Sequence, residues 1–567
     1  MPADFSRPPP WWISVPGGSI RFVQVFLFAL VFAIPMLILP GRPRGWLLKL
    51  MLATLGGAWQ KLAQVLAQQP KLIGQHAAEY LSHLQDRGRK RSHAVLLSRI
   101  AKAKGLDRSH LDLSATGDSV AAASCGAVYK AKWDGKLVAI KVTIAGARIT
   151  YTMDRALLRG VAVVVGWTPP GRRMRLHDQL RKIADSYYAQ LDLREEAFNT
   201  TLMFKSFAPN FNRRMAARGS TLKIKIPEVY FNDRDILIVD WIEATKATKV
   251  LADARSPDEA VRTAAVTKYR AHGEIVIEAA VWASLRQEVT HGDLHAGNVY
   301  FSDEGVILLD FGLCSRVPSI HRLRLAAGLL STAGGDPEGV ARSLISMAPN
   351  PPKLTPDQRQ AFVDGLAVFI NTINEKIGAG STTQGLPLGS LLTNFLTTMR
   401  QHRVEPHPGF AVMNQNLLAA QGFVGALAPD FDLVSIIRDE VIALYRDEDP
   451  ESVYVKQMIL LPSVVGLARK DEKVEELLVS TLDLSQAMRP ASGHTIEMQL
   501  AAMEEQTSKL APLDIQAYYF AMLQLRHFRG RPAFRAKVLE LLKMLRMSPP
   551  NPFVQVTIVF LQNLVAE

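Results

Sequence analysis

The chain has 567 residues, of which 48% are hydrophobic and 21% are charged. These values are typical of a folded protein of two or more domains, and they exclude a disordered or collagen-like chain. The formal net charge of +13 indicates an anionic partner such as a membrane surface, a nucleotide or a nucleic acid. The two cysteines, Cys125 and Cys314, cannot build a disulfide framework or a multi-cysteine metal site.

An uncharged apolar segment spans residues 22–39, within an N-terminal tail of residues 1–45. As a helix it reaches about 27 Å at roughly 1.5 Å per residue, close to the roughly 30 Å hydrocarbon core of a bilayer. Arg42 and Arg44 follow the segment, and positive charges favour the cytoplasmic or matrix side of a membrane. We therefore expect a single N-terminal span or embedded anchor; a secretory signal region and a buried hairpin are the alternatives.

The body of the chain begins with a helical extension and continues with short strands. Apolar residues have helical spacing over 46–110. From 111 to 245 short apolar runs alternate with turns, which predicts a small β-rich lobe. Residues 127–133 and 136–142 predict a β-hairpin, because the Asp-Gly pair that separates them is a favoured two-residue turn. Another strand is predicted at 236–239.

The remainder is predicted to be mostly helical, which gives an α+β fold as a whole. Helical periodicity covers residues 176–204 and 257–286. A strand is predicted at 306–309, inside a mainly helical lobe of residues 246–330. From 331 to 567 the helical pattern continues with Pro and Gly breaks and without a fixed-period repeat.

The strongest chemical signal is the run His-Gly-Asp-Leu-His-Ala-Gly-Asn at 291–298, followed by Asp-Phe-Gly at 310–312. Asp293 lies five residues before Asn298, which is the spacing of the catalytic loop of kinases. Phosphoryl transfer needs hard oxygen ligands for Mg²⁺, and this predicts Asn298 and Asp310 as metal ligands. It also needs a carboxylate to orient or deprotonate the nucleophile, which predicts Asp293 as a catalytic residue.

Residues 138–141 read Val-Ala-Ile-Lys, the strand motif in which the lysine, here Lys141, holds the α- and β-phosphates of a nucleotide. The run 121–128 superimposes on a glycine-rich phosphate loop but keeps only Gly126 and Val128, with alanines in place of the first two glycines. Alanine lacks the freedom of glycine at positive φ and its close approach to a phosphate. A nucleotide would therefore be held differently from the way an ordinary kinase holds it.

Two more positions complete the predicted nucleotide site. Glu196, on a predicted helix, is the candidate ion-pair partner of Lys141, and Glu195 is the alternative. Asp240 and Ile242 follow a predicted strand and fit the hinge that contacts the adenine ring.

Together these motifs resemble the UbiB family, also called the aarF-domain-containing (ADCK) atypical kinases, over residues 57–318. The K-x-G-Q motif of that family is matched by Lys61 and Gln64, with Ala63 in place of the glycine. Its E-x-D motif is matched by Asp192, with Gln190 in place of the glutamate. Its alanine-rich loop is present at Ala121, Ala122, Ala123 and Ser124.

The resemblance implies a protein-kinase-like bilobal fold, with a small β-rich lobe and a helical lobe, that binds ATP or ADP with Mg²⁺. It gives Lys61, Gln64 and Asp192 a regulatory role, because these motifs fold over the nucleotide site in the family and restrain protein-kinase activity. The catalytic residues are expected to be Asp293, Lys141 and Glu196. The nucleotide contacts are expected to be Ala121, Ala122, Ala123, Ser124, Gly126, Val128, Lys141, Asp240 and Ile242.

The resemblance also implies an activity and a location. Members of the family are membrane-associated ATPases or lipid-directed kinases that support coenzyme Q (ubiquinone) biosynthesis or mitochondrial lipid homeostasis. The expected partners are an anionic lipid surface and a lipid or quinone-precursor substrate, or a coenzyme Q biosynthetic complex. The expected location is the mitochondrial inner membrane or a bacterial cytoplasmic membrane, and the Gln-x-Asp wording is most similar to the second mitochondrial ADCK subgroup.

Two other functions stay open. The catalytic loop is also similar to that of aminoglycoside and choline phosphotransferases, which act on small soluble molecules. The altered Ala63 and Gln190 suggest a nucleotide-binding pseudokinase scaffold. A conventional protein substrate is not expected, since residues 313–318 lead almost at once into a helix without an Ala-Pro-Glu motif. Nucleic acid is not expected, because basic and aromatic residues are not interleaved as in known modules.

Overall fold

A computed structural model of the chain describes residues 41–55, 73–82, 90–122, 126–144, 146–167, 191–378, 397–405, 407–446, 453–470, 510–528 and 530–546, with isolated residues elsewhere. The described chain is α+β, as predicted. The strands are β1 Leu111–Asp112, β2 Ala121–Ala122, β3 Gly126–Trp133, β4 Lys136–Thr143, β5 Lys223–Lys225, β6 Val229–Asn232, β7 Ile236–Asp240, β8 Thr245–Lys246, β9 Val289–His291, β10 Val299–Ser302, β11 Gly305–Leu308 and β12 Cys314–Arg316.

Helices dominate the rest of the described residues. They are α1 Arg42–Leu55, α2 Gln75–Ser82, α3 His93–Lys102, α4 Ala147–Trp167, α5 Leu193–Leu202, α6 Ala208–Ala217, α7 Ala247–Asp253, α8 Glu259–Arg286, α9 Ser319–Ala333, α10 Pro337–Met347, α11 Pro356–Gly378, α12 Pro408–Leu427, α13 Leu433–Arg446, α14 Val453–Ala468, α15 Pro512–Gln524 and α16 Pro532–Arg546.

The chain folds as two compact units. The first contains residues 1–208, 225–244 and 308–313, and the second contains 209–224, 245–307 and 314–567. The Asp-Phe-Gly motif therefore belongs to the first unit and the run 291–298 to the second. The five-part division predicted from the sequence stays a prediction.

An antiparallel sheet forms the centre of the first unit. Its strand order is β1-β3-β4-β7-β6, and β2 also pairs with β3. The predicted hairpin is confirmed, since β3 and β4 pair from Gly126 to Thr143 around Asp134 and Gly135. Both turn residues have positive φ, 47° and 80°, as a type I′ turn requires. The predicted strand at 236–239 is also confirmed as part of β7.

The buried face of this sheet follows the two-residue period of its strands. Ala127, Tyr129 and Ala131 alternate with more exposed neighbours along β3, and Val138, Ile140 and Val142 do so along β4. Leu96 and Ile100 of α3 pack into the same core. The helix α3 thus covers the apolar face of the sheet.

The helices before and after this sheet form a second core in the first unit. Its buried members include Leu52 and Leu55 of α1, Leu81 of α2, and Tyr151 and Leu158 of α4. The helical extension is confirmed in α1, α2 and α3, whereas α4 was not predicted. The predicted helix over 176–204 is found from Leu193 onward, because residues 182–190 lie outside the described residues.

The second unit is built on the long helix α8, which the periodicity of 257–286 predicts. Asp258 caps it by accepting hydrogen bonds from the N–H groups of Ala260 and Val261. The helix packs closely on α12, where a Cβ on Gly273 would lie 3.1 Å from the Leu427 Cβ. A sheet of order β5-β11-β10-β8 and the pair β12-β9 complete the unit, and β11 confirms the strand predicted at 306–309.

No helix in the described ranges is long and apolar enough to cross a membrane. The predicted membrane segment 22–39 lies outside those ranges, apart from Leu27 and Leu39. A membrane anchor there stays a prediction.

A buried ion pair joins the C-terminal region to the rest of the second unit. Arg324 of α9 donates to Asp514 of α15 at 2.7 Å and 3.2 Å, and their side chains are only 6% and 4% exposed. Asp514 also accepts a hydrogen bond from the N–H of Ala511. Two charges at this depth are tolerated only because each satisfies the other.

We expect Asp514→Ala to destabilise α9 and α15 by about 3 kcal/mol, since it leaves the Arg324 charge buried and unpaired. Hydrogen–deuterium exchange of the two helices measures this as faster exchange. The control is Glu338→Ala, which removes the partially exposed ion pair of Glu338 with Arg359 and should cost less than about 1 kcal/mol. Equal effects of the two substitutions on hydrogen–deuterium exchange would contradict the conclusion that the buried Arg324–Asp514 pair stabilises the two helices.

Candidate active site

The first unit contains the ion pair that the sequence predicts. Lys141 lies on β4 opposite Val128 of β3. Its Nζ atom is 2.8 Å from Glu196 Oε1 and 2.7 Å from Oε2, so the alternative, Glu195, is not needed. Asp310 Oδ1 is 3.6 Å from the same Nζ atom. Lys141 therefore forms ion pairs with a buried carboxylate and with the first residue of the Asp-Phe-Gly motif.

The two carboxylates around Lys141 differ in their access to water. The Glu196 side chain is 9% exposed, whereas that of Asp310 is 49% exposed. Burial raises the pKa of Glu196, the charge of Lys141 opposes this, and the charge of Asp310 adds to it. The exposed carboxylate of Asp310 is the one that can accept an incoming cation.

The helix that carries Glu196, α5, begins at Asp192. The Asp192 carboxylate accepts from the Arg194 N–H at 3.2 Å and pairs with the Arg194 side chain at 2.6 Å. Burial acts to raise the pKa of Asp192, but the hydrogen bonds from Arg194 outweigh it and hold that pKa below its ordinary value. Asp192 is thus the N-cap of the Glu196 helix. Gln190 lies outside the described residues.

The Asp-Phe-Gly turn is tied to the same helix. Asp310 has a φ of 63°, and its Oδ1 atom is 3.4 Å from the N–H of Gly312. A Cβ at Gly312 would lie 3.3 Å from Asp310 Oδ1 and 3.4 Å from Glu196 Oε2, so glycine provides the space for both carboxylates. Asn199 donates from Nδ2 to the Phe311 carbonyl at 3.1 Å. Sequence reasoning missed Asn199, although its spacing three residues after Glu196 places it on the same helix face.

The alanine-rich loop begins as a strand rather than as an open turn. Ala121 pairs with Val128 and Ala122 with Ala127. Gly126 lies close to the neighbouring strand, since a Cβ there would be 3.2 Å from the Val142 carbonyl oxygen. Several predicted site residues lie outside the described residues: Ala123, Ser124, Lys61 and Gln64.

The predicted hinge residue Asp240 is held by its own sheet. Its carboxylate accepts from the Glu228 N–H at 2.8 Å and from the Tyr230 hydroxyl at 2.7 Å. Burial, and then the hydrogen bond to Asp240, raise the pKa of Tyr230. Because the Asp240 carboxylate is already engaged, a nucleotide contact at Asp240 would be made by its backbone. Ile242 is partly buried in the segment that follows β7.

In the second unit the run 291–298 forms a loop closed by its own hydrogen bonds. The Asp293 carbonyl accepts from the His295 N–H at 2.9 Å and from Asn298 Nδ2 at 3.0 Å. The N–H of Asn298 donates to the His295 carbonyl at 2.9 Å. Because the Asn298 amide nitrogen fixes the loop, its Oδ1 atom is the group suited to a cation.

Two histidines shape this loop. The N–H of Asp293 donates to His291 Nδ1 at 3.0 Å, and the N–H of Gly297 donates to His295 Nδ1 at 2.9 Å. A Cβ at Gly297 would lie 2.4 Å from His295 Cε1, so only glycine fits there. Asn416 of α12 donates to the His291 carbonyl. Sequence reasoning missed Asn416, because nothing local connects it with a residue far upstream in the chain.

The donor chemistry of these residues fits Mg²⁺ as a nucleotide complex. Asp310 in the first unit and Asn298 in the second each offer a hard oxygen ligand, while the described residues contain no group of three or more His, Cys, Asp or Glu side chains that could hold a metal ion. Magnesium ordinarily takes one or two protein oxygens and completes its shell with phosphates and water. The metal is therefore expected to bind together with phosphate. The catalytic and ligand roles of these residues stay predictions.

A protein-family model matches the part of the chain that contains these residues. The model of the ABC1 atypical kinase-like domain matches residues 92–344. These residues therefore form an ABC1 atypical kinase-like domain. This confirms the predicted relationship to UbiB and the aarF-domain-containing kinases, and the kinase-like fold. The matched residues include both the Lys141–Glu196 pair and the loop at 291–298.

The chain is similar to curated proteins of the ABC1 family from bacteria and plants. It is 24% identical over 467 residues to the probable protein kinase UbiB of Klebsiella pneumoniae, covering 78% of this chain and 80% of that protein. It is 24% identical over 463 residues to a chloroplast aarF domain-containing protein kinase of Arabidopsis thaliana, but covers only 60% of its length. The solved structure of Rv3197 with erythromycin from Mycobacterium tuberculosis matches with a TM-score of 0.39 and 18% identity, over 69% of this chain and 93% of that one.

A pair of stacked histidines lies in the second unit, at the start of the helix that carries Asn416. His321 of α9 and His407 stack with ring centroids 4.5 Å apart. His407 caps α12, the helix of Asn416, by accepting from the Gly409 N–H at 3.1 Å. Burial, then the proximity of His407 and Arg324, lower the pKa of His321 to about 4, and burial lowers that of His407.

We expect the second unit to lose stability as the pH falls from about 6.5 to about 4. In this window the unfolded chain binds a proton at His321 and the folded protein does not, so the free energy of unfolding decreases with decreasing pH. The thermal unfolding midpoint measured across this range tests this. His321→Phe should flatten the pH dependence, while the exposed control His527→Phe should not. An identical pH profile for both variants would contradict it.

Proposed function

We propose that this protein is a membrane-associated atypical kinase or ATPase of the UbiB type that binds Mg-nucleotide and supports coenzyme Q biosynthesis or mitochondrial lipid homeostasis. The observation that carries the proposal is the Lys141–Glu196 pair with Asp310 beside it, within an ABC1 atypical kinase-like domain. In kinases, this arrangement of lysine, glutamate and Asp-Phe-Gly aspartate accompanies a competent phosphate site. Activity, substrates and partners are part of the proposal.

Each residue has a chemical task in this proposal. Lys141, oriented by Glu196, would neutralise the α- and β-phosphates, and the Asp310 carboxylate beside it would be a Mg²⁺ ligand. Asn298 would be a Mg²⁺ ligand as the spacing of the 291–298 motif predicts. The metal supplies charge neutralisation of the phosphates when it is bound. Asp293 would accept a hydrogen bond from the attacking hydroxyl or water and remove its proton. The backbone bonds that close the 291–298 loop hold this carboxylate in place before a nucleotide arrives.

A pseudokinase scaffold is the weaker alternative. Its support from the sequence is the replacement of two motif residues by Ala63 and Gln190. Against it, Asp293, Asn298 and Asp310 retain the residue types that phosphoryl transfer needs, and Lys141 already has its glutamate partner. A lost active site would not need a buried lysine–glutamate pair, since such a pair is costly to maintain.

We expect the purified protein to bind Mg-ATP and to hydrolyse it slowly. Asp310→Asn should weaken Mg²⁺-dependent binding, and Asp293→Asn should lower kcat by roughly a hundredfold or more with little change in nucleotide affinity. The control is Asp303→Asn, because this side chain is 93% exposed in the β10–β11 turn. ATP hydrolysis that survives Asp310→Asn unchanged would overturn the enzyme assignment, and binding without any hydrolysis would favour the scaffold.

We expect anionic lipid to stimulate the enzyme and the quinone pool to depend on it. Hydrolysis measured with cardiolipin-containing vesicles should exceed that with neutral vesicles, since the chain carries a net charge of +13. A strain that carries only the Asp293→Asn protein should contain less ubiquinone than one that carries the Asp303→Asn protein. An unchanged quinone pool would remove the coenzyme Q assignment, and phosphorylation of an aminoglycoside or choline would favour the small-molecule alternative.

A further inference from the structure

Arg148 occupies an unusual position at the start of α4, where one guanidinium nitrogen has three acceptors. Its Nη2 atom is 3.0 Å from the Leu191 carbonyl oxygen, 3.1 Å from the Arg234 carbonyl oxygen and 3.0 Å from Asp235 Oδ1. These acceptors come from two separate segments of the first unit. The side chain is about three-quarters buried. An arginine in this position links two segments of the chain, in contrast to an arginine that lies exposed on the protein surface.

The acceptor Asp235 belongs to the turn that is bonded to the end of the Lys141 strand. The Thr143 N–H donates to the Asp235 carbonyl at 3.0 Å, and the Thr143 hydroxyl donates to the Asp235 carboxylate. Thr143 follows Lys141 by two residues on β4. Arg99 of α3 reinforces this contact by donating to the Thr143 carbonyl at 2.8 Å. The position of Asp235 is therefore fixed relative to the strand of Lys141.

The other acceptors lie at the start of the Glu196 helix. Leu191 is five residues before Glu196 and directly precedes the N-cap, Asp192. The Leu193 N–H donates to the Arg234 carbonyl at 3.2 Å, next to the bond that Arg148 makes to the same oxygen. Through Arg148, the first residues of the helix and the end of the Lys141 strand share one set of hydrogen bonds.

We propose that Arg148 is a positioning residue, which sets the distance between Lys141 and Glu196 by holding the start of α5 against the end of β4. It touches neither Lys141 nor Glu196 among the contacts the structure describes, and acts through the backbone of residue 191 and the Asp235 carboxylate. The effect on nucleotide binding rests on the proposed function; the effect on the ion pair does not. Lysine could replace the charge of Arg148, but its side chain is one bond shorter, so its ammonium would not reach the position of Nη2, where the three oxygens converge.

The direct test measures the state of Lys141 without any nucleotide. Acylation by a small amine-reactive ester, followed by mass spectrometry, should modify Lys141 roughly tenfold faster in Arg148→Met and in Glu196→Gln than in the unmodified protein, because both loosen the ion pair. The Arg148→Met/Glu196→Gln double variant should react no faster than Glu196→Gln alone. Arg148→Lys should give an intermediate rate. The control is Arg159→Met, on the exposed face of the same helix, which should leave the rate unchanged.

This design separates positioning from general stability. If Arg148 only stabilised the fold, Arg148→Met would lower the unfolding midpoint, and its effect on the acylation rate of Lys141 would add to that of Glu196→Gln. An additive acylation rate in the double variant would therefore overturn the proposal. An unchanged acylation rate in a folded Arg148→Met protein would also overturn it. If Arg148→Met does not fold, Arg148→Lys supports the same comparison, and a rate equal to that of the unmodified protein would overturn the proposal.

The second readout uses a fluorescent ATP analogue with Mg²⁺. Arg148→Met should raise its Kd roughly tenfold, with no further increase in the double variant, because the two changes disable the same contact. If the unmodified protein does not bind the analogue while Lys141 acylation behaves as expected, the proposed function fails and the positioning role stands. If the analogue binds equally to both proteins and acylation is unchanged, the positioning role fails and the proposed function stands.

Discussion

The first unit depends on one buried carboxylate. Glu196 has almost no contact with water, and taking a carboxylate out of water costs several kcal/mol unless a cation and hydrogen bonds replace the solvent. Lys141 supplies that cation with two contacts below 3 Å. The ion pair therefore requires α5 and β4 to keep a fixed relative position, since a small displacement of either would leave a charge buried without its partner. The surrounding elements must hold both residues to within a fraction of an ångström.

Helix α5 meets this requirement through contacts at its N-terminus and further along the helix. Its N-cap Asp192 and the bonds to Arg148 fix its beginning, and Asn199 fixes its second turn to the Phe311 carbonyl. The same helix thereby restrains Asp310, whose φ of 63° is unfavourable for a residue other than glycine. Such a conformation persists only where its surroundings determine it. The charge of Lys141 and the Gly312 N–H supply part of that determination.

Local chemistry made much of this predictable from the sequence. The Asp-Gly turn predicts the β3–β4 hairpin because few turns accept two residues at positive φ. Helix α8 was predicted over 257–286 and is found at Glu259–Arg286, although its C-terminal half is buried on all sides and has no single apolar face. The partner of Lys141 was also predictable, since a glutamate on a helix after a Val-Ala-Ile-Lys strand has one usual role. Arg148, Asn199 and Asn416 were not. Each acts on a carbonyl oxygen that any residue could provide, so neither end of the contact carries a sequence signature.

Helix α4 was missed although its sequence pattern is helical. Along residues 147–167, Tyr151 and Leu158 are buried while Ile149 and Trp167 are exposed, so the buried and exposed apolar side chains lie on opposite faces of the helix. The buried face packs in a core with residues of α1 and α2, which lie far upstream in the chain. The pattern predicts the helix, but it does not identify the helices against which the buried face packs.

Ala63 departs from the K-x-G-Q motif of the family, and Ala121 departs from the glycine-rich loop of ordinary kinases. Both alanines have a physical explanation in the packing. Ala63, which replaces a motif glycine, is fully buried in the core of α1, α2 and α4, so its methyl group adds apolar area that glycine would not, at about 25 cal/mol per Å². Ala121 pairs with Val128 of β3 as the first residue of β2, and alanine loses less conformational entropy than glycine when it is ordered in a strand. At both places a flexible glycine has given way to a residue that stabilises the folded state. The described start of this loop is therefore ordered in the sheet, and under the proposed function the binding of phosphate would depend correspondingly more on Lys141 and on the geometry of its pair with Glu196.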